Sequence, residues 1–332
     1  MKIIFIGTPE FGAIILEGLI KADLKPILVI TAPDKPVGRK QILTPPPVKI
    51  VAQKYNIPII QPGKLQVISY KLQEIKPDLI IVAAYGQIIP RDILDIPKYG
   101  CLNVHPSLLP KYRGSSPVQY AILNGDTETG VTIMLMDEKV DHGPIVSNIK
   151  YQISNIKITS GDLSKELANL GAKLLTETIP KWIKGELKPT SQDDSQATYT
   201  KIIKKEDGKI DWKKSAEEIE RQIRAFDPWP GAFTSFKNKN LKTESRFWRD
   251  EGEEEDKVLF AHKKLKIIKT DILATQTKKQ IGEVFLTDDN KIAVQTGKDY
   301  LIIEDLQLEG KKPMTSEEFL RGHLNFIGTI LI

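Results

Sequence analysis

The 332 residues carry 48 Lys and Arg against 43 Asp and Glu, a net charge of +5, with 40% hydrophobic and 27% charged side chains. That length makes about two domains of ordinary soluble composition, and a charge this mild does not by itself argue for nucleic acid. The lone cysteine, Cys101, excludes a disulfide framework and a multi-thiolate metal site, and fits a reducing compartment.

The apolar run Ile3 to Ile6 is too short for a secretory signal. No window approaches the ~20 apolar residues of a membrane span. The expectation is a cytoplasmic chain with no membrane partner.

Residues 2–6, 26–30, 78–84, 101–105 and 132–136 are short continuous apolar runs, the pattern of strands covered on both faces. Between them, residues 10–22, 47–55, 117–124 and 160–184 read as helices. The alternation predicts an α/β, Rossmann-like fold with a doubly wound, mostly parallel sheet. Ligands then sit beyond the carboxyl ends of the strands.

Residues 186–197 are polar, without an apolar period, and read as a linker. A helix at 215–225 follows, then strands at 257–262, 265–268, 282–286, 291–295 and 300–304, and a last helix at 315–323. Short strands broken by turns predict a second, smaller β-barrel, OB-like domain. The expected boundaries are 1–187, a linker at 188–206, and 207–332.

Residues 201–214 hold six lysines against three acids, and 250–256 hold six acids in seven residues. On pattern alone both are solvated surface.

The first strand ends in Gly7-Thr8-Pro9-Glu10-Phe11-Gly12. Pro9 stands where a dinucleotide fingerprint needs its second glycine, and Gly12 lacks the Lys-Ser/Thr of a P-loop, so both phosphate motifs fail. Residues 31–47 hold five prolines around Gly38-Arg39-Lys40. Loops of that kind are functional or mobile, and a glycine beside two cations suits an anionic partner.

Asn103 and His105 leave one face of the 101–105 strand. Ser107-Leu108-Leu109-Pro110 follows at once, and Asp141, after the next strand, can meet His105 across the strand ends. An amide that polarises a carbonyl, an imidazole that handles a proton and a carboxylate that orients it suit acyl transfer. As a zinc site the set lacks a recognised ligand spacing, so no metal is expected.

Asn103-x-His105, Ser107-Leu108-Leu109-Pro110 and Asp141 shortly before Gly143 resemble the folate-dependent formyltransferases. The wider match runs through Gly7–Phe11, the Pro-Asp-Lys-Pro loop with Gly38-Arg39, Ala84-Tyr85-Gly86, Arg224–Gly231 and Gly310–Met314. Pro106 departs from the glycine of many relatives, and the 250–256 run has no counterpart.

The resemblance implies 10-formyltetrahydrofolate as formyl donor, tetrahydrofolate as product, and the methionine amino group of initiator methionyl-tRNA as acceptor. It implies Asn103, His105 and Asp141 as catalytic groups, with Ser107, Leu108, Leu109 and Pro110 flanking the folate. Arg39 and Lys40 would meet the tRNA acceptor arm, beside a basic channel lined by the second domain. The chain is expected to act as a monomer. Two alternatives stay open: a folate formyl enzyme acting on a small amine, a sugar nucleotide or water, and a non-catalytic RNA-binding relative.

Overall fold

The computed structural model describes the chain apart from residues 39, 156, 244–258 and 276–278, with backbone alone for 237–243 and 259–263. It divides into two compact units, Met1–Ala121 with Asp126–Ile202, and Ile122–Gly125 with Ile203–Ile332.

The first unit runs β1 (Ile3–Gly7), α1 (Glu10–Lys21), β2 (Leu28–Ile30), the hairpin β3 (Lys35–Val37) and β4 (Ile42–Thr44), α2 (Pro47–Lys54) and β5 (Ile59–Ile60). It continues through α3 (Ser69–Ile75), β6 (Leu79–Ala83), α4 (Arg91–Leu94), β7 (Cys101–His105), β8 (Arg113–Gly114) and α5 (Pro117–Leu123). Then come β9 (Glu128–Leu135), β10 (Ile145–Gln152), α6 (Ser160–Ile183) and β11 (Tyr199–Thr200).

Seven strands form one sheet in the order β10-β9-β7-β6-β1-β2-β5. β7, β6, β1, β2 and β5 are parallel; β9 runs against β7, and the edge strand β10 runs against β9. β1, β6 and β7 are buried from end to end; the apolar runs of β1 and β6 require it, while β7 also buries Asn103 and His105. β10 alternates between covered and exposed residues (Ile145-Val-Ser-Asn-Ile-Lys-Tyr-Gln152), so this edge strand has no continuous apolar run to announce it.

The glycines that fail as a phosphate motif have a packing reason. A Cβ on Gly7 would lie 2.7 Å from the Ala83 carbonyl oxygen, and one on Gly12 would lie 2.8 Å from the same atom. Their absence lets α1 settle on β1 and β6.

The stretch expected to be a linker at 186–197 belongs to the first unit. β11 pairs with β8, and Thr190 exchanges backbone hydrogen bonds with Ile145. Its polar residues carry no apolar period because they bond to the unit beneath rather than bury carbon.

The second unit contains α7 (Ala216–Ala225), β12 (Ala232–Thr243), β13 (Leu259–Leu273), β14 (Val284–Leu286), β15 (Ile292–Gln295), β16 (Tyr300–Leu308), β17 (Met314–Thr315) and α8 (Ser316–Gly322). Ser215 and Glu218 close a capping box on α7, and Thr315 and Glu318 do the same on α8.

The antiparallel order is β12-β13-β16-β15-β14, with β17 on β16. Leu331 bridges Phe236 on one edge and Ile330 bridges Glu283 beside the other, so the final residues join the two edges of the curled sheet. Trp212, Ile219, Ile223, Leu265, Leu301 and Phe319 meet in its core. The runs at 257–262 and 265–268, expected as two strands, fall on the single strand β13 from residue 259 onward, because two polar residues at 263 and 264 do not interrupt a backbone ladder. The acid-rich run at 250–256 lies outside the described residues.

Among the described residues, no helix is long and apolar enough to cross a membrane.

Candidate active site

Asn103 and His105 lie at the carboxyl end of β7, where a parallel sheet presents its ligand groups. They are 8% and 4% exposed, so only a small edge of each remains open. Asp141 follows β9 and is held with φ at +48°, a conformation that costs a non-glycine residue roughly 1–3 kcal/mol.

The carboxylate of Asp141 is anchored on one side only. Its Oδ2 accepts the Gly114 N–H at 2.8 Å. Its Oδ1 faces both Asn103 Nδ2 at 3.3 Å and His105 Nδ1 at 3.6 Å. Amide, imidazole and carboxylate thus converge on one oxygen, at distances longer than a good charged hydrogen bond.

His105 Nε2 lies 2.9 Å from the backbone carbonyl of Tyr112. A carbonyl can only accept, so Nε2 carries the proton, and Nδ1 is the nitrogen turned toward Asp141. Tyr112 itself sits at φ +63°, in the turn between β7 and β8.

That turn is stapled from within. Ser107 is fully buried; its hydroxyl donates to the Lys111 carbonyl at 2.6 Å, and its own carbonyl accepts from Thr132 at 2.7 Å. The Thr132 oxygen also accepts the Leu109 N–H at 3.1 Å. Ser107 therefore holds the turn from within. Leu109 is buried at 5% exposure, while Leu108 and Pro110 keep part of their surface.

The supporting residues that the sequence did not single out come from the 190–200 segment. Arg113 is only 1% exposed; its guanidinium donates to Gln192 Oε1 at 3.0 and 2.9 Å, to Asp194 at 2.7 Å and to the Tyr199 hydroxyl at 3.2 Å. Gln192 Nε2 donates to the carbonyls of Asp141 at 2.9 Å and Gly143 at 2.7 Å. Gly143 must be glycine, since a Cβ there would lie 1.8 Å from the Leu135 carbonyl oxygen.

His142 lies between Asp137 at 2.6 Å and Asp194 at 3.4 Å. The hydrogen bond from Arg113 holds the Asp194 carboxyl below the usual carboxylate range. Only a lone polar segment at 186–197 hinted at these contacts, and such a segment reads equally as solvated chain.

Cys101, at the far end of β7, is no nucleophile: burial pushes its thiol up to about 12. Among the described residues, no group of three or more His, Cys, Asp or Glu side chains could hold a metal ion.

Of the expected tRNA contacts, Lys40 is exposed in the turn that joins β3 and β4, and Arg39 lies outside the described residues. The hairpin stands on Asp34, whose carboxylate accepts from Lys49 at 2.8 and 2.7 Å and from Gln61 at 2.7 Å.

The profile of the formyl transferase domain matches residues 1–179, and that of the formyl transferase C-terminal domain matches 202–324. A methionyl-tRNA formyltransferase of Bacillus velezensis is 44% identical over 324 residues, 97% of this chain and 94% of that one. The chain belongs to the methionyl-tRNA formyltransferase family. The Bacillus subtilis member is 41% identical over the same shares of the two chains.

Solved structures of similar fold diverge further. The sugar 3N-formyltransferase WlaRD, solved with dTDP and 5-N-formyl-THF, superposes with a TM-score of 0.61 at 23% identity, covering 94% of this chain and 99% of that one. HypX from Aquifex aeolicus, solved with tetrahydrofolic acid, gives a TM-score of 0.59 at 17% identity, covering 97% of this chain and 47% of that one. At those identities the likeness shows the shared fold.

Proposed function

We propose that this chain transfers the formyl group of 10-formyltetrahydrofolate to the α-amino group of methionine on initiator tRNA, using Asn103, His105 and Asp141. The convergence of Asn103 Nδ2 and His105 Nδ1 on Asp141 Oδ1 carries the reading.

The methionine nitrogen attacks the formyl carbon, forming a C–N bond and pushing the carbonyl electrons onto oxygen. Asn103 has a second amide N–H beyond the one facing Asp141, and this donates to the oxyanion. The tetrahedral adduct collapses by breaking its bond to N10 of the folate, which leaves with a proton. The amine gives up a proton in the same passage. His105 and Asp141 handle that exchange: Tyr112 keeps Nε2 protonated, so Nδ1 and Asp141 Oδ1 are the atoms between which a proton moves.

The 3.3 and 3.6 Å spacings suit a site that tightens on the reacting group. The ester of methionine lowers the basicity of its amine, which favours the nucleophilic neutral form near pH 7.

Leu108, Leu109 and Pro110 form the apolar wall beside the folate, with Leu109 acting from below. Arg39 and Lys40 on the hairpin approach the phosphates of the acceptor arm, contacts that position a tRNA without reading its sequence. Residues 1–187 carry the three catalytic groups, 188–206 supplies the strap that supports them and leads on to 207–332, and 207–332 carries the remaining tRNA contacts. One chain supplies all three catalytic groups, which supports a monomer. The buried lone Cys101 supports a reducing, cytoplasmic setting.

An acceptor panel tests the proposal. Formyl from the folate should appear on the methionine nitrogen of charged initiator tRNA, with free methionine and amino sugars at least ~10³-fold poorer in kcat/KM, since remote binding energy is what orients the amine. Comparable rates on a sugar-nucleotide amine, or hydrolysis of the donor without an acceptor, would replace the proposal with one of the other folate reactions.

A further inference from the structure

Gln192 makes hydrogen bonds with every polar position of its side chain. Its Nε2 donates to the carbonyl oxygens of Asp141 and Gly143, and its Oε1 accepts twice from Arg113. Arg113 is itself 99% covered and is further fixed by Asp194 and Tyr199. The strap that carries Gln192 returns as β11 to pair with β8, the strand whose Gly114 N–H holds the Asp141 carboxylate. Asp141 is therefore gripped twice, at its side chain by β8 and at its backbone by Gln192.

This double grip answers a specific need. Asp141 stands at φ +48°, which its own chain disfavours, and it lies on the turn between β9 and β10. Released at the backbone, it would relax toward an ordinary conformation and swing Oδ1 away from Asn103 and His105.

We infer that Gln192 is a positioning residue for the formyl transfer, holding Asp141 in its strained conformation from a segment whose sequence resembles a linker. Arg113 orients Gln192 so that the amide nitrogen, not the oxygen, meets the two carbonyls. This inference rests on the assignment of Asp141 to the reaction.

Two substitutions separate geometry from charge. Gln192→Glu keeps the shape and strengthens the pairing with Arg113, yet sets a carboxylate oxygen against two carbonyls. Gln192→Met removes the hydrogen bonds without adding charge. Each should lower kcat by at least ~10-fold, as small displacements of a reacting group do, while the KM for charged tRNA stays within about twofold. In an Asp141→Asn background the same changes should cost less than about twofold, because residues acting through one group are not additive.

Kcat within about twofold of the parent for both folded single variants would overturn the inference, as would equal losses with and without Asp141. If Asp141→Asn alone turns over like the parent, the assignment of Asp141 fails and not the grip. Should turnover in that background fall below detection, nitrogen NMR decides, since the chain has 4 histidines and the His105 Nδ1 resonance can be resolved. Gln192→Met should move that resonance in the direction that Asp141→Asn moves it. A resonance left in place by Gln192→Met would overturn the inference.

Discussion

Asp141 keeps 14% of its side-chain exposure and is tied at backbone and carboxylate, whereas Val37, Ile42 and Leu43 on the β3–β4 hairpin are 56%, 61% and 64% exposed. Both regions belong to the first unit and both follow strands of one sheet. The first is surrounded by partners from β7, β8 and the 190–200 strap. The second is fastened at its base, by Asp34 with Lys49 and Gln61.

The difference teaches where each task is placed. Moving a proton between fixed atoms needs positions held to tenths of an ångström, so the site borrows hydrogen bonds from distant sequence. A hairpin tip proposed to meet a macromolecule needs surface, and the apolar side chains of Val37, Ile42 and Leu43 stand exposed there.

The largest effect expected is on turnover. Asn103→Ala and Asp141→Ala should each lower kcat by at least ~10²-fold, the usual loss on removing a preorganised donor or proton-handling group. Thermal melting should stay near that of the parent. Steady-state kinetics beside a melting curve checks this, and turnover within threefold of the parent would erase the contrast between the two regions.

Thr132→Val tests whether the site side really is stapled. The hydroxyl of Thr132 serves the Ser107 carbonyl and the Leu109 N–H in a fully buried position. Its removal leaves both unpaired and should cost about 1–3 kcal/mol of stability in urea unfolding. A value near zero would mean the turn does not depend on that staple.

How much of this was legible in the sequence follows the same divide. Continuous apolar runs gave away β1 and β6, and the meeting of Asn103, His105 and Asp141 could be expected because polar groups gather beyond the carboxyl ends of parallel strands. β10 stayed hidden because an edge strand with one wet face has no apolar run. Gln192 stayed hidden because a side chain that bonds to backbone carbonyls leaves no pattern in residue type. The bond of the Ser107 hydroxyl to the Lys111 carbonyl likewise leaves no mark in residue type.

A smaller effect is expected at the hairpin. Arg39→Ala should lower kcat/KM for charged tRNA by roughly 3- to 10-fold, with Arg39→Lys recovering part, since a lysine keeps the charge without the planar fork. Raising salt should weaken tRNA binding by the parent more steeply than by Arg39→Ala, because each phosphate contact adds to the salt slope. Parallel slopes in a binding series at several salt concentrations would assign the hairpin no phosphate contact.

The smallest effect concerns acid. The carboxyl of Asp194 is held below its ordinary value first by the Arg113 hydrogen bond. A depressed carboxyl contributes stability above its unfolded pKa, about 4, and loses it as the pH falls through the folded value. The parent should therefore lose slightly more Tm between pH 5 and pH 3 than Asp194→Asn, as read by calorimetry. Identical losses would show that the pair adds nothing to the strap.

The account depends most on His105, whose Nδ1 faces Asp141 and whose Nε2 is committed to Tyr112. The most direct test is a single-turnover, chemically quenched measurement of formyl transfer to charged initiator tRNA by His105→Ala, with enzyme and folate saturating. The account predicts a transfer rate at least ~10²-fold below the parent, with tRNA binding measured on the same protein unchanged. Transfer within threefold of the parent rate would contradict it.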